Sequence, residues 1–231
     1  MCIYCFLIIC EIHHHRKIMA HFSSANDDND VLVNEIEILF PEITEDDKIR
    51  TAEFLNAARG IVRIVEKLGK VFAPVKYDIN GNIDKLETRY ATNKEKNVIL
   101  QDMILIEKAT ETNLIATDAL LWLTRALHMI LLFFEKIVED AKTTTPTEDL
   151  VAFLKKSYKE ALEPYHGWMA QQLFDLLSRM VPTRLQLLQA LTNKQNIEND
   201  IVINNIETYL IRLRKNVSVI QLFYKTHNLD T

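Results

Sequence analysis

The sequence predicts an all-α protein, a two-layer sandwich of about eight helices. Three observations lead there. Only four glycines and five prolines punctuate 231 residues, too few for the turns of a β-sandwich or barrel. Apolar residues recur at helical spacing through most of the chain. The segment Ala119 to Phe134 is apolar almost all round, with Arg125 and His128 the exceptions, and such a helix has to be covered on every side. The middle of a two-layer helical sandwich does that most simply.

The elements follow in order. Asn26 to Asp30 is polar and acidic, which sets the boundary between a disordered leader over 1–30 and a domain over 31–231. Cys2, Cys5 and Cys10 all fall in that leader, so the domain has no disulfide framework and suits a reducing cytosol. The apolar run Ile3 to Ile9 is too short to cross a bilayer, and Met19 offers an alternative start. Consecutive His13, His14 and His15 are read as an adventitious metal site, and no metal or cofactor is expected. Val31 to Phe40 begins an amphipathic pattern that Pro41 ends. Ile49 to Leu68 places Phe54, Ala58, Ile61, Val65 and Leu68 on one face and stops at Gly69. Further helices are predicted over Pro74 to Tyr90, Lys94 to Ala109, Leu114 to Val138, Thr147 to Leu162, Trp168 to Met180, Thr183 to Thr192 and Ile197 to Tyr224. The uncharged runs within Ala119 to Phe134 fall short of the roughly 20 residues that a bilayer needs. A formal net charge of -5 argues against a nucleic-acid partner held by bulk phosphate attraction.

Three clusters carry chemistry. At about 100° per residue, Ile79, Ile83, Leu86 and Tyr90 form an apolar stripe, with Asp78, Asn82, Lys85 and Arg89 beside it. The polar stripe combines a carboxylate, an amide and two cations, an inventory suited to sugar hydroxyls and an amide. A solvated face with weak ion pairs is the plainer reading. Gly81 lies beside Asp78 and Asn82 and leaves room for a bulky group. Trp122 with Arg125 offers a flat platform for a sugar ring, or else a core tryptophan. Tyr165-His166-Gly167-Trp168 follows Pro164, and His166 is either a hydrogen-bonding group or structural.

Asp78-Ile-Asn-Gly-Asn82-Ile-Asp-Lys85, Leu120-Leu-Trp122-Leu-Thr-Arg125 and Tyr165-His166-Gly167-Trp168 together resemble the headgroup-recognition signature of the glycolipid transfer protein family, in order and at similar spacing. The similarity runs from about Phe54 to Tyr224. It implies that family's two-layer fold and a non-enzymatic carrier that moves a glycosphingolipid between membranes. By the same resemblance Asp78, Asn82 and Lys85 bind the first sugar and Trp122 stacks on it. Asp78 accepts from the ceramide amide N–H and His166 donates to its carbonyl. Phe72, Val75, Leu162, Phe174 and Leu187 line the chain tunnel, and Trp168 docks at the membrane. The expected partners are thus a glycosphingolipid and, transiently, a membrane surface, for a protein of the cytosol.

The superfamily's ceramide-1-phosphate branch has basic residues where this chain has Asn82, Trp122 and Ala126, and a phosphate needs charge-assisted donors. A ceramide-1-phosphate carrier or sensor, and a helical adaptor with a vestigial pocket, are the alternatives. A hydrolase built on Asp78 and His166 lacks both a nucleophile motif and a metal-ligand cluster. Two departures stand out. The chain continues past Tyr224 to Leu229-Asp230-Thr231, where relatives often end in a lipid-contacting tyrosine. Arg63 to Gly69 lacks the paired phenylalanines with which some members dock to an endoplasmic-reticulum receptor, so that partner is not expected.

Overall fold

The computed structural model describes residues 38–192 and 199–230. Within them are eight α-helices: α1 Thr51–Lys67, α2 Ala73–Thr92, α3 Leu100–Thr110, α4 Ile115–Ala141, α5 Val151–Ala161, α6 Trp168–Ser178, α7 Arg184–Thr192 and α8 Asn199–His227. The fold is the all-α two-layer sandwich that the sequence predicts. The predicted leader, its histidines and cysteines lie outside the described residues. Of the predicted Val31 to Phe40 segment, only Ile38 to Phe40 are described, and these are not helical. Phe40 is buried there, edge-on to Phe54 of α1 and Tyr209 of α8.

α4 is the organising element. It is 27 residues long, with mean hydropathy 1.4 over its most apolar stretch, and by length and composition it is long enough to cross a membrane. The expectation that its apolar stretch falls short is corrected to that extent. The helix is instead clad by other helices: α8 and α2 pack along it most extensively, followed by α5 and α3. Leu120, Leu123, Leu127 and Ile137 become fully buried. α1 packs on α2 and α7, and α7 packs on α8, so a ring of helices closes around the apolar interior.

Gly69 ends α1 as predicted. Its φ of 111° is a conformation that side chains disfavour, and its N–H closes on the Glu66 carbonyl at 3.1 Å. The predicted start at Lys94 is wrong, because α3 begins at Leu100. The preceding chain is drawn into an extended pairing: Thr51 N donates to Val98 O at 2.9 Å and Leu100 N to Ile49 O at 2.8 Å, making the isolated bridge Arg50 to Ile99. The Asn97 side chain, 2% exposed, donates to Arg89 O at 2.9 Å and so ties off the end of α2. The predicted start at Thr147 is also too early. Thr147 N donates to Asp140 and Val151 N to Asp149 Oδ1, both at 2.9 Å, which holds that turn outside α5.

The first turn of α4 is capped from another helix. Glu107 of α3, 2% exposed, accepts from Ala116 N at 2.8 Å and from Thr117 N and Oγ1 at 2.7 Å. A carboxylate at a helix N-terminus satisfies donors that the helix itself cannot. Tyr224 Oη donates to Thr117 O at 2.7 Å on the same turn, locking α8 against α4. Burial pushes the Tyr224 phenol well up. The late tyrosine of this chain is therefore an anchor between helices.

Candidate lipid-headgroup site

The site forms where α4, α5 and the turn before α6 meet. Trp122 lies two turns into α4, half-buried. The short 3-10 turn Glu163–Tyr165 carries the chain from α5 to His166, whose imidazole stacks on the indole with centroids 5.8 Å apart and planes 23° from parallel. Tyr158 of α5, buried, shares a hydrogen bond of 2.9 Å with His166 Nδ1. Its ring lies flat on Phe174 of α6, at 3.6 Å and 8°. Gln171 Nε2 donates to His166 O at 2.8 Å and to Glu163 O at 3.3 Å, pinning the turn to α6. The second and third sequence clusters are thus one assembly.

Arg125 completes it. Its guanidinium carbon lies 3.6 Å from the Tyr165 ring centroid and 4.9 Å from that of Trp122, and cations on aromatic faces are held by the ring quadrupole. Burial lowers its proton affinity, opposed by Tyr165 and Asp230. Burial, and then the Arg125 charge, hold the His166 imidazole below its ordinary value. The imidazole is therefore neutral at neutral pH, with one N–H to give.

The first cluster stands on α2, which packs on α4. Ile79, Ile83 and Leu86 are buried as predicted, and Tyr90 is half-buried. The polar stripe is less solvated than a surface stripe would be. Asn82 is 6% exposed, with Nδ2 donating to Asp78 O at 3.0 Å, and Asp78, Lys85 and Arg89 are half-buried. Asp78 and Lys85 both have partners within the fold. Beside them Gly81 faces open space: a Cβ placed there would meet nothing within 4 Å.

Trp168 opens α6 and is 72% exposed, so it is not a core residue. Met169, Leu176 and Met180 are exposed on or just beyond the same helix. Of the predicted tunnel residues, Phe72, Leu162 and Leu187 are buried, and Val75 and Phe174 are half-buried against the core. None of the five lines an apolar cleft found among the described residues. That cleft has a volume of only 10 Å³ and runs between Ile61 and Ile64 of α1, Ile130 and Phe134 of α4, Leu191 of α7 and Tyr209 of α8. Of these residues the sequence analysis singled out only Ile61, and the apolar stretch that holds Ile130 and Phe134. Among the described residues no group of histidines, cysteines and carboxylates is arranged to hold a metal.

The family model described as Glycolipid transfer protein (GLTP) matches residues 49–193. The chain belongs to the glycolipid transfer protein family. Its relatives include pleckstrin homology domain-containing family A member 8 of Homo sapiens, 32% identical over 199 residues. That match takes in 82% of this chain but 37% of the relative, so the chain spans little over a third of that protein's length. The glycolipid transfer protein of Danio rerio is 29% identical over 84% of this chain and 96% of its own. Among solved structures, one showing how FAPP2 selects simple glycosphingolipids with the GLTP fold superposes with a TM-score of 0.75. It is 28% identical and covers 88% of this chain and 96% of that one. Glycolipid transfer protein relatives are lipid carriers rather than enzymes, and the aromatic assembly around Trp122 sits within the span that defines the family.

Proposed function

We propose that this family member binds a glycosphingolipid and carries it between membranes, with the sugar and amide at the Trp122–His166 assembly and the ceramide chains in the apolar interior. The observation that carries the reading is the indole at the centre of the assembled site. Trp122, Ala126 and the nearly buried Asn82 supply a ring, a methyl and an amide where a phosphate would need charge-assisted donors. Arg125, the nearby cation, rests on two aromatic rings. Stacking and neutral hydrogen bonds suit a sugar. The open space beside Gly81 on the polar face of α2 leaves room for it. The FAPP2 likeness, a protein that selects simple glycosphingolipids, agrees.

Transfer then needs no chemistry. Trp168, whose ring is apolar and whose N–H can stay wet, docks at the bilayer interface together with Met169. The assembled centre takes the sugar-amide region. The chains enter between α1, α4, α7 and α8, where every CH₂ kept from water is worth about 0.8 kcal/mol. Native mass spectrometry of the protein purified from cells tests this directly. The reading expects a co-purifying glycosphingolipid. A ceramide-1-phosphate adduct in its place moves the protein to the phosphate-binding branch, and failure to bind any sphingolipid supports an adaptor.

A further inference from the structure

We infer that Tyr158 is a positioning residue that fixes His166 as an Nε2–H donor, so that the site selects a hydrogen-bond acceptor on its ligand. The inference rests on the glycolipid reading for the identity of that acceptor, the carbonyl of the lipid amide, but its structural part stands apart from it.

A neutral imidazole has one N–H and one lone pair, and the partner of one nitrogen decides what the other presents. Here Nδ1 lies 2.9 Å from the Tyr158 hydroxyl. Among the described residues no protein group engages Nε2. Two arrangements are open to the pair. If the imidazole gave its proton to Tyr158 through Nδ1, Nε2 would offer a lone pair and the site would favour a donor. If Tyr158 donates, Nδ1 accepts and Nε2–H points to the ligand.

The second arrangement makes the stronger bond, because a phenol is a far better donor than a neutral imidazole N–H and an imidazole nitrogen a far better acceptor than a phenol oxygen, and the surroundings hold the pair in place. Tyr158 is 4% exposed, and its ring is held flat on Phe174, so the hydroxyl cannot swing to solvent without breaking that stack. The imidazole cannot turn away either, since one face lies on Trp122 and its backbone carbonyl is held by Gln171. The guanidinium of Arg125 lies on the same indole, and a nearby positive charge disfavours a second proton on the ring. A fixed, neutral Nε2–H donates to a carbonyl or hydroxyl oxygen and rejects an N–H. The tyrosine thus acts through the histidine and need never touch the lipid.

The test is made on the full chain with ¹⁵N-labelled histidine. Long-range ¹H–¹⁵N spectra of the lipid-free protein read the tautomer, and a vesicle assay with galactosylceramide reads transfer. The wild type is expected to show a pyridine-type Nδ1 and a pyrrole-type Nε2 for His166. Tyr158→Phe keeps the stack on Phe174 and removes the donor. It should mix or invert the tautomer and slow transfer about tenfold, the worth of one hydrogen bond, with helical circular dichroism unchanged. A wild-type His166 protonated at Nδ1 overturns the inference, even if the variant fails to fold. So does a Tyr158→Phe protein with an unchanged tautomer, or one with a changed tautomer and unchanged transfer. A wild type with the expected tautomer that moves no glycolipid overturns the functional reading and leaves the tyrosine's hold on the histidine standing.

Discussion

The polar end of the interior and its apolar end are built differently. Around Trp122 the side chains already touch: His166 lies on the indole, Tyr158 on His166, and Arg125 over Trp122 and Tyr165. Between Ile61, Ile130, Phe134 and Tyr209 the helices leave a cleft of 10 Å³, about the space of one water and far less than an acyl chain needs. Hydrogen bonds and stacking depend on angle and distance, so recognition gains from a geometry fixed before the ligand arrives. Apolar burial is non-directional, so an apolar chain would need only room between these helices. One region is assembled and the other is closed.

This contrast can be broken at several points. The largest effect is expected from Glu107→Ala, which strips three charge-assisted hydrogen bonds from the first turn of the helix bearing Trp122. Leaving those buried donors unmet should cost about 3 kcal/mol, read by urea denaturation. A loss near zero would mean that the polar end is not held by this cap. Trp122→Ala should slow glycolipid transfer at least thirtyfold, about 2 kcal/mol, while helical circular dichroism stays largely intact. Near-normal transfer by the folded variant would remove the indole from the recognition role.

Smaller effects sharpen the comparison. Trp168→Ala should reduce partitioning to neutral vesicles and slow transfer severalfold with the thermal midpoint almost unchanged, because a ring 72% exposed contributes little to folding. A large drop in midpoint in the same preparation would contradict docking. The smallest effect belongs to the closed end. The Tyr209 hydroxyl is buried without a hydrogen-bond partner among the described residues, and burial pushes its ionisation up. Tyr209→Phe relieves an unmet polar group in an apolar wall, so unfolding should show stability unchanged or raised by about 1 kcal/mol. Clear destabilisation would show that the wall depends on that hydroxyl.

Much of this was legible in the sequence, and the exceptions have physical causes. Periodicity located α1, α2, α4 and α8, because their apolar stripes face one continuous core. Gly69 marked a stop that only its backbone freedom allows. The three motifs pointed to Trp122 and His166. The sequence could not show that these two rings stack on each other, since they are 44 positions apart in the chain. The start of α3 was misplaced because Asn93 to Ile99 has ordinary helical composition, and only a turn over 94–97 and the pairing of Val98 and Leu100 with Thr51 and Ile49 keep it out of the helix. Glu107 reads as one more charge on an amphipathic helix until the fold aims it at a neighbouring N-terminus. The cleft residues look like any other core leucines, isoleucines and aromatics, because the wall of a cleft and a solid core use the same side chains.

In the proposed function the assembled end is matched to a neutral headgroup. A competition assay decides it most directly: donor vesicles containing equal amounts of galactosylceramide and ceramide-1-phosphate are offered to the wild-type protein, and the lipid reaching acceptor vesicles is identified. Galactosylceramide is expected to move in clear excess, and Asn82→Lys with Trp122→Arg to narrow or reverse the ratio. Preferential transfer of ceramide-1-phosphate by the wild type would contradict it.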